Sequence, residues 1–326
     1  MSKAEPLRIG VVGLGTFGRL HALTLAGLAE AELVALVARR QASLDALAPE
    51  LPGVPGWLDL DRGMAESGAE AWVVASSTAT HVPIAERLLA AGYAVLVEKP
   101  LAASPAEAER LAGLVAPDSR NLMMGHILLF NSEFRALQGE ARRRGSLVHI
   151  SCARHRPTGT LEAFPGESPF HLLMVHDLYM VQALAEGREP ATFSAQERRT
   201  PAGECDLALA QLGWEDGLVA SLAASYLTPE GMPADGYDRL EAFGRGWAAR
   251  VEANPRPLTV WDDRARAPLT LEITPDPRLP AGMLAEELRA FCHVVRGRQP
   301  VPLGARYTDA LQALRWLERL EQAARA

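Results

Sequence analysis

The chain has 326 residues, 48% of them hydrophobic and 22% charged, with a formal net charge of -7. That length suggests about two globular domains, and the balance is neither that of a disordered chain nor that of a fibrous repeat. The acidic total argues against nucleic acid as the main partner. Cys152, Cys205 and Cys292 are too far apart for a zinc motif or a disulfide framework, and no apolar run is long enough to span a membrane.

Leu7 to Val12 is apolar on both faces and predicts a buried strand of a parallel sheet. It leads straight into a glycine loop, with no secretory signal before it, so a cytoplasmic protein is expected. The loop is Gly13-Leu14-Gly15-Thr16-Phe17-Gly18, and a helix follows from about Phe17 to Leu28. A GxGxxG pattern alone is weak evidence; a strand before it and a helix after it are the context that a dinucleotide site requires. Gly13 permits the tight turn, Gly15 lets the backbone approach a pyrophosphate, and Gly18 lets helix and strand pack closely. Exposed N–H groups and the helix dipole then favour the phosphates. Gly13, Gly15, Thr16, Phe17 and Gly18 are therefore cofactor-binding candidates. A glycine turn without a ligand is the plainer alternative.

Glu32 to Ala38 predicts a second strand, whose end should choose between NAD and NADP. An acid there would bond the ribose 2′-hydroxyl and repel a 2′-phosphate. The residues are Ala38-Arg39-Arg40, which offer no acid and two guanidiniums able to pair with a phosphate, so NADP(H) is expected over NAD. Solvated arginines at a helix start are the alternative.

Ala71 to Ser76 predicts another strand, Val82 to Ala91 a helix closed by Gly92, and Ala94 to Val97 a further strand closed by Glu98-Lys99-Pro100. Ser104-Pro105-Ala106-Glu107 is a helix start with cap and capping box. Strands alternating with helices predict a parallel sheet with right-handed crossovers.

The pattern changes after about residue 122. A long apolar helix is expected from Phe170 to Leu184. Strand-like runs follow at Cys205 to Trp214, Leu218 to Tyr226, Arg239 to Phe243, Ala248 to Val251, Leu258 to Trp261 and Leu269 to Ile273. Short turns between them predict a large, mostly antiparallel sheet. Two helices, Met283 to Val295 and Tyr307 to Ala323, close the chain. The stretch Arg154 to Thr160 reads as leaving a strand for a mobile loop, where Arg154 and Arg156 share a face and could hold an anion or stay solvated. His126, His155, His171, His176 and Asp177 show no regular ligand spacing, and no metal is expected.

Glu98-Lys99-Pro100 ends a parallel strand, at the sheet edge where ligands bind in such folds. Pro100 biases Lys99 towards an extended backbone. A lysine beside a cofactor can donate a hydrogen bond to a substrate oxygen, and partial burial would lower its pKa into acid–base range. Taken alone, a solvated loop lysine is the simpler reading.

Four segments change that weighting. They are the glycine loop, Ala75-Ser76-Ser77-Thr78-Ala79-Thr80-His81, the run Ala91 to Leu101 containing Glu98-Lys99-Pro100, and Phe130-Asn131 following Gly125-His126. Together they resemble the Gfo/Idh/MocA oxidoreductase family, strongly to about residue 135 and more loosely beyond. The resemblance implies an NAD(P)-binding Rossmann domain over residues 1–122 and an α+β domain for substrate and oligomerisation over residues 123–326. The open sheet of the second domain would join a homodimer or homotetramer. The implied reaction moves a hydride between nicotinamide and a small-molecule substrate, a sugar or cyclitol hydroxyl or the matching carbonyl. Lys99 matches the family's catalytic lysine. Ser76, Thr78, His81, Glu98 and Lys99 are expected at the cofactor, and Lys99, His126, Arg154 and His176 at the substrate.

His176 aligns with the family histidine, as general base for oxidation or acid for reduction. Family members usually carry Asp four residues earlier; here that position is Leu172. An Asp there would share the helix face with His176. His171 lies about 140° away round a regular helix and is an imperfect substitute. Two functional readings follow: an NADP(H)-dependent oxidoreductase, and a nucleotide-binding sensor or scaffold that kept the fold and weakened the chemistry, with Leu172 as its support. Within the enzyme class, an aromatic ketone or dihydrodiol would suit the apolar helix face.

Overall fold

Short, mostly apolar segments set the order of the first part of the chain. They are β1 (Leu7–Val12), β2 (Ala31–Val37), β3 (Gly56–Trp57), β4 (Ala71–Val74), β5 (Ala94–Glu98) and β6 (Leu122–Gly125). Helices α1 (Thr16–Gly27), α2 (Gln41–Leu47), α3 (Leu60–Glu66), α4 (Thr78–Ala90) and α5 (Pro105–Glu109) connect them. The description comes from a computed structural model and covers residues 5–232, 237–252, 260–261, 265–266, 273–274, 277–278 and 280–326.

The six strands pair in parallel in the order β3-β2-β1-β4-β5-β6. That is the Rossmann order, and its direction reverses between β1 and β4. Val73, Val74, Leu96 and Val97 are fully buried, as strands covered on both faces require. Local signals set the helix starts. Asp59 caps α3 by accepting the Arg62 N–H, and Ser104 caps α5 by accepting the Glu107 N–H.

The chain then forms α6 (Ser132–Arg144), β7 (Leu147–Pro157), α7 (Thr160–Ala163) and α8 (Val175–Leu184). Strands β8 (Thr192–Arg199), β9 (Cys205–Gly213), β10 (Val219–Thr228), β11 (Tyr237–Gly244) and β12 (Trp247–Val251) follow. They build a second sheet in the order β12-β11-β7-β10-β9-β8, antiparallel except where β7 meets β10. The fold is thus α/β, a Rossmann sheet plus a large, mostly antiparallel sheet, as the sequence pattern implies.

Two local expectations change. The stretch from Arg154 to Pro157 is not a mobile loop: it is the end of β7, and the turn begins only at Thr158. The helix expected from Phe170 begins with a π-helical turn over Phe170–Met174 and is α-helical from Val175. The runs Leu258 to Trp261 and Leu269 to Ile273 fall largely outside the described residues. Within them, Val260–Trp261 pairs with Ala265–Arg266, and Ile273–Thr274 pairs with Ala281–Gly282.

Two helices, α9 (Met283–Val295) and α10 (Tyr307–Arg325), complete the chain. The described residues of Met1–Phe130 form one compact unit with Ile273–Leu311, and Asn131–Glu272 form a second with Gln312–Ala326. In the first unit, the returning segment is tied to the sheet edge. Met124 N–H donates to the Ala305 carbonyl at 2.8 Å, and Tyr307 N–H donates to Ser119 Oγ at 2.9 Å. Among the described residues no helix is long and apolar enough to cross a membrane.

Candidate active site

The glycine loop after β1 shows three different steric demands. Gly13 has φ +89°, and a Cβ there would lie 2.7 Å from the Ala75 carbonyl oxygen and from Ser76 N. A Cβ on Gly18 would lie 1.8 Å from the Gly13 carbonyl oxygen. Among the described residues Gly15 has nothing within 4 Å of the same position. The loop is therefore closed by packing at its two ends and open in the middle, where a pyrophosphate approaches the backbone in such folds. Gly15 is the N-cap of α1 and among the described residues no side chain caps that helix, which leaves its first amides to an anion.

A cavity of about 460 Å³ adjoins this open face. Gly13, Gly15, Ala38, Arg39, Arg40 and Ser76 line it, all of them expected from the sequence. Asp59, Thr80, Ile84 and Arg87 line it as well and were not foreseen. Arg39 and Arg40 are exposed at the end of β2. The Asp59 carboxylate already accepts the Arg62 N–H at 2.9 Å. Thr16 and Phe17 open α1, and Thr78 opens α4. The open glycine face, the uncapped helix and the guanidiniums fit a nicotinamide dinucleotide.

Lys99 follows β5, and its peptide bond to Pro100 is cis. Glu98 is buried. One of its carboxylate oxygens lies 2.7 Å from His21 Nε2, and the other accepts the Lys99 N–H at 3.1 Å. Burial pushes the Glu98 pKa up, but the His21 hydrogen bond and charge, with Lys99, outweigh it and hold the carboxyl below its ordinary value. His81, also buried, has Nδ1 at 2.8 Å from the Pro100 carbonyl and Nε2 at 3.1 Å from the Ser76 carbonyl. It bridges the loops after β4 and β5. Burial lowers its pKa, against the two carbonyls and Glu98.

Glu287 of α9 joins His21 and Glu98, with one ligating atom from each residue within 4.8 Å of the others. Among the described residues neither Glu287 oxygen has a hydrogen-bond partner, and burial together with the Glu98 charge holds its carboxyl well above the usual range. Sequence reading missed both His21 and Glu287. The available signal was a titratable residue within an apolar helical stripe: Glu287 shares its face with Leu284, Leu288 and Phe291. His126 is buried in the same unit with Nδ1 at 2.5 Å from the Gly304 carbonyl, and burial brings its pKa down to about 4.

In the second unit, His176 and Tyr179 share a face of α8, with His176 Nδ1 2.9 Å from the Tyr179 hydroxyl. Leu172 lies in the π-helical turn before them. His171 does not approach this pair; its Nε2 faces Glu321 at 3.2 Å. Arg154, expected in a solvated loop, is only 3% exposed. Its guanidinium meets Asp177 at 3.0 Å and Asp238 at 2.6 Å. Arg156 forms a two-pronged pair with Asp238 at 2.6 and 3.0 Å. Burial works against the Arg154 charge, but the two carboxylates raise its pKa. Asp177, desolvated in the same place, has its pKa raised despite Arg154.

Residues 7–126 match the family model described as "Oxidoreductase family, NAD-binding Rossmann fold". The chain is similar to inositol 2-dehydrogenase of Rhizobium meliloti, 27% identical over 78% of each chain. It is also similar to UDP-N-acetylglucosamine 3-dehydrogenase of Acidithiobacillus ferrooxidans, 29% identical over 69% of this chain and 68% of that one. Among solved structures, scyllo-inositol dehydrogenase from Lactobacillus casei with bound NAD(H) and scyllo-inositol shares the fold, with TM-score 0.82 and 22% identity over 98% of this chain and 97% of that one. The first unit's Rossmann sheet thus matches the Gfo/Idh/MocA oxidoreductase family model, and along most of its length the chain is similar to inositol and UDP-N-acetylglucosamine dehydrogenases and shares their fold.

Proposed function

We propose that the chain oxidises a secondary hydroxyl of a cyclitol or sugar, or reduces the matching carbonyl, with NADP(H) preferred to NAD(H). The observation that carries the reading is the tether on Lys99. Its backbone is held by the buried Glu98, and the loop it enters is held by His81, on the strand next to the one whose loop lines the dinucleotide cavity. A nicotinamide dinucleotide held by Gly13, Gly15, Arg39 and Arg40 would supply or accept the hydride at the substrate carbon. Lys99 donates a hydrogen bond to the substrate oxygen and polarises it, and His176 exchanges the proton of that oxygen. His126 and Arg154, first assigned to substrate contact, act in this reading as framework. The three guanidinium nitrogens of Arg154 already donate to Asp177 and Asp238, and His126 is fully buried.

The NADP preference rests on Arg39 and Arg40 and on the absence of an acid at the end of β2. The bound NAD(H) of the Lactobacillus casei enzyme is the argument for the opposite choice. Assembly through the outer face of the second sheet belongs to the same proposal: Leu209, Val219, Tyr237 and Phe243 are each 38–43% exposed there. Light scattering on purified protein should give a dimer or tetramer mass.

A cofactor-consumption screen over myo-inositol, scyllo-inositol, UDP-N-acetylglucosamine and simple ketones, each with NADP and NAD, tests the reading. Turnover of a polyol with NADP supports it. Tight dinucleotide binding with uniform inactivity would move the chain to the sensor or scaffold reading, which Leu172 favours.

A further inference from the structure

We infer that Glu287 is a positioning residue for Lys99. It donates its carboxyl proton to His21 Nδ1, His21 donates from Nε2 to Glu98, and Glu98 holds the Lys99 backbone. The inference rests on the reading of Lys99 as the group at the substrate oxygen. The last two links are in place: His21 Nε2 lies 2.7 Å from one Glu98 oxygen, and the other accepts the Lys99 N–H at 3.1 Å. The first link follows from the polar atoms left over. Among the described residues His21 Nδ1 and both Glu287 oxygens are buried without a hydrogen-bond partner. Each unpaired buried group costs about 1–3 kcal/mol, so atoms of one cluster pair with each other wherever their chemistry matches.

Here the chemistry matches. A neutral imidazole has one proton. The Glu98 carboxylate keeps that proton on Nε2, and Nδ1 is left with a lone pair that needs a donor. Glu98 accepts and cannot donate, and each of its oxygens already has a partner. Glu287 is the donor, because burial and the Glu98 charge leave it its proton. One polar atom from each of the three side chains lies within 4.8 Å of the other two, a gap that rotation within the Glu287 side chain closes. The relay crosses three elements of the first unit. His21 is on α1, the helix that opens at Gly15; Glu98 ends β5; Glu287 is on α9, which packs against α1. It therefore ties the helix that faces the dinucleotide phosphates to the turn that carries Lys99. Without a donor at Nδ1 the imidazole is free to change tautomer, and Glu98 loses the fixed N–H that orients it.

Infrared difference spectra and nitrogen NMR read the relay without any substrate. At neutral pH, wild type minus Glu287→Gln should show the carbonyl band of a protonated carboxylic acid. In 15N-histidine-labelled protein, one ring should carry its proton on Nε2 and show an Nδ1 resonance shifted by an incoming hydrogen bond. In Glu287→Leu that resonance should move to the position of an unbonded lone pair, which also assigns it to His21. Leucine suits a helix face shared with Leu284, Leu288 and Phe291, so the variant keeps its packing. Its turnover should fall roughly tenfold, part of the ~10²-fold or more that Lys99 supplies, with KM for the dinucleotide unchanged. Glu287→Gln, which offers an N–H in place of the acid proton, should recover most of that loss. An absent acid band overturns the inference, as do unmoved histidine nitrogen shifts in Glu287→Leu. One equivalent of a divalent metal in the purified protein also overturns it, since the three side chains would then be ligands. So does wild-type turnover in Glu287→Leu while Lys99→Met is impaired. Failure of the underlying reading looks different: Lys99→Met would then turn over at the wild-type rate, with the infrared and nitrogen signals of the relay as expected.

Discussion

Alanine at Gly15 and at Gly18 should separate binding from folding within one loop. At Gly18 the new methyl would sit 1.8 Å from the Gly13 carbonyl oxygen, and it must retreat about 1.6 Å to reach ordinary van der Waals contact. The obstacle is backbone, so no side chain can rotate away. Overpacking of this kind costs about 1–3 kcal/mol, offset by up to ~1 kcal/mol from the better helix propensity of alanine. At roughly 2–4 °C per kcal/mol for a domain of this size, Gly18→Ala should lower Tm by several degrees. Gly15 has open space at the same position and φ -71°, a backbone any residue adopts. Alanine is a poorer N-cap than glycine by roughly 0.5–1 kcal/mol, and the stiffer unfolded chain returns about as much. Gly15→Ala should therefore melt within a degree or two of wild type. Its methyl, however, occupies the surface a pyrophosphate approaches, and dinucleotide affinity should fall at least ~tenfold, or 1.4 kcal/mol. Thermal melts and fluorescence titration with NADPH and NADH measure both. Wild-type affinity for both dinucleotides in Gly15→Ala would refute the placement of the phosphates.

Lys99→Met should cut turnover by ~10²-fold or more while dinucleotide titration stays near wild type; unchanged turnover would remove Lys99 from the chemistry. Replacing Arg39 and Arg40 together by Ala should lower the NADP-over-NAD ratio of kcat/KM about 10- to 100-fold, since a charged hydrogen bond contributes about 1.5–3 kcal/mol; an unmoved ratio would show both guanidiniums to be bystanders. Glu287→Gln should stabilise the protein increasingly as pH rises. The unfolded Glu287 ionises above its ordinary value of 4.5, while the folded one keeps its proton because of burial and the Glu98 charge. The wild type therefore loses stability above that pH, by at most about 1.4 kcal/mol per unit, and the amide does not. Urea unfolding at pH 5 and pH 8 should show the variant's advantage growing, and parallel curves would contradict it.

How much of this could be read in advance depended on whether the signal was local. Gly13 and Gly15 come just after the strand from Leu7 to Val12, Arg39 and Arg40 come just after the next, and these four residues line one cavity. The extent of strand β7 was not legible, because its core-facing residues Ile150, Cys152 and Arg154 include a charge, and its other face carries His149, Ser151 and His155. Only Asp177 and Asp238, distant in sequence, explain how Arg154 can be buried. The cluster behind Lys99 failed for the same reason. His21 reaches Glu98 across 77 residues, and Glu287 comes from near the end of the chain. Tyr179 was only three residues from His176, but the sequence displays a hydrophobic helix there and gives no hint that one hydroxyl faces the imidazole.

The division of the first unit between Met1–Phe130 and Ile273–Leu311 bears on how the protein is made. A ribosome adding roughly 5–20 residues per second needs on the order of ten to forty seconds after Phe130 before the chain that covers β6 and brings Glu287 to Glu98 exists. During that interval His21 and Glu98 meet without Glu287, Met124 lacks the Ala305 carbonyl, and the N-terminal sheet has an uncovered edge. The edge of the Rossmann sheet thus closes only after Ile273–Leu311 has been made. Stop codons placed before Met283 should yield chains that engage chaperones rather than chains that hold a dinucleotide.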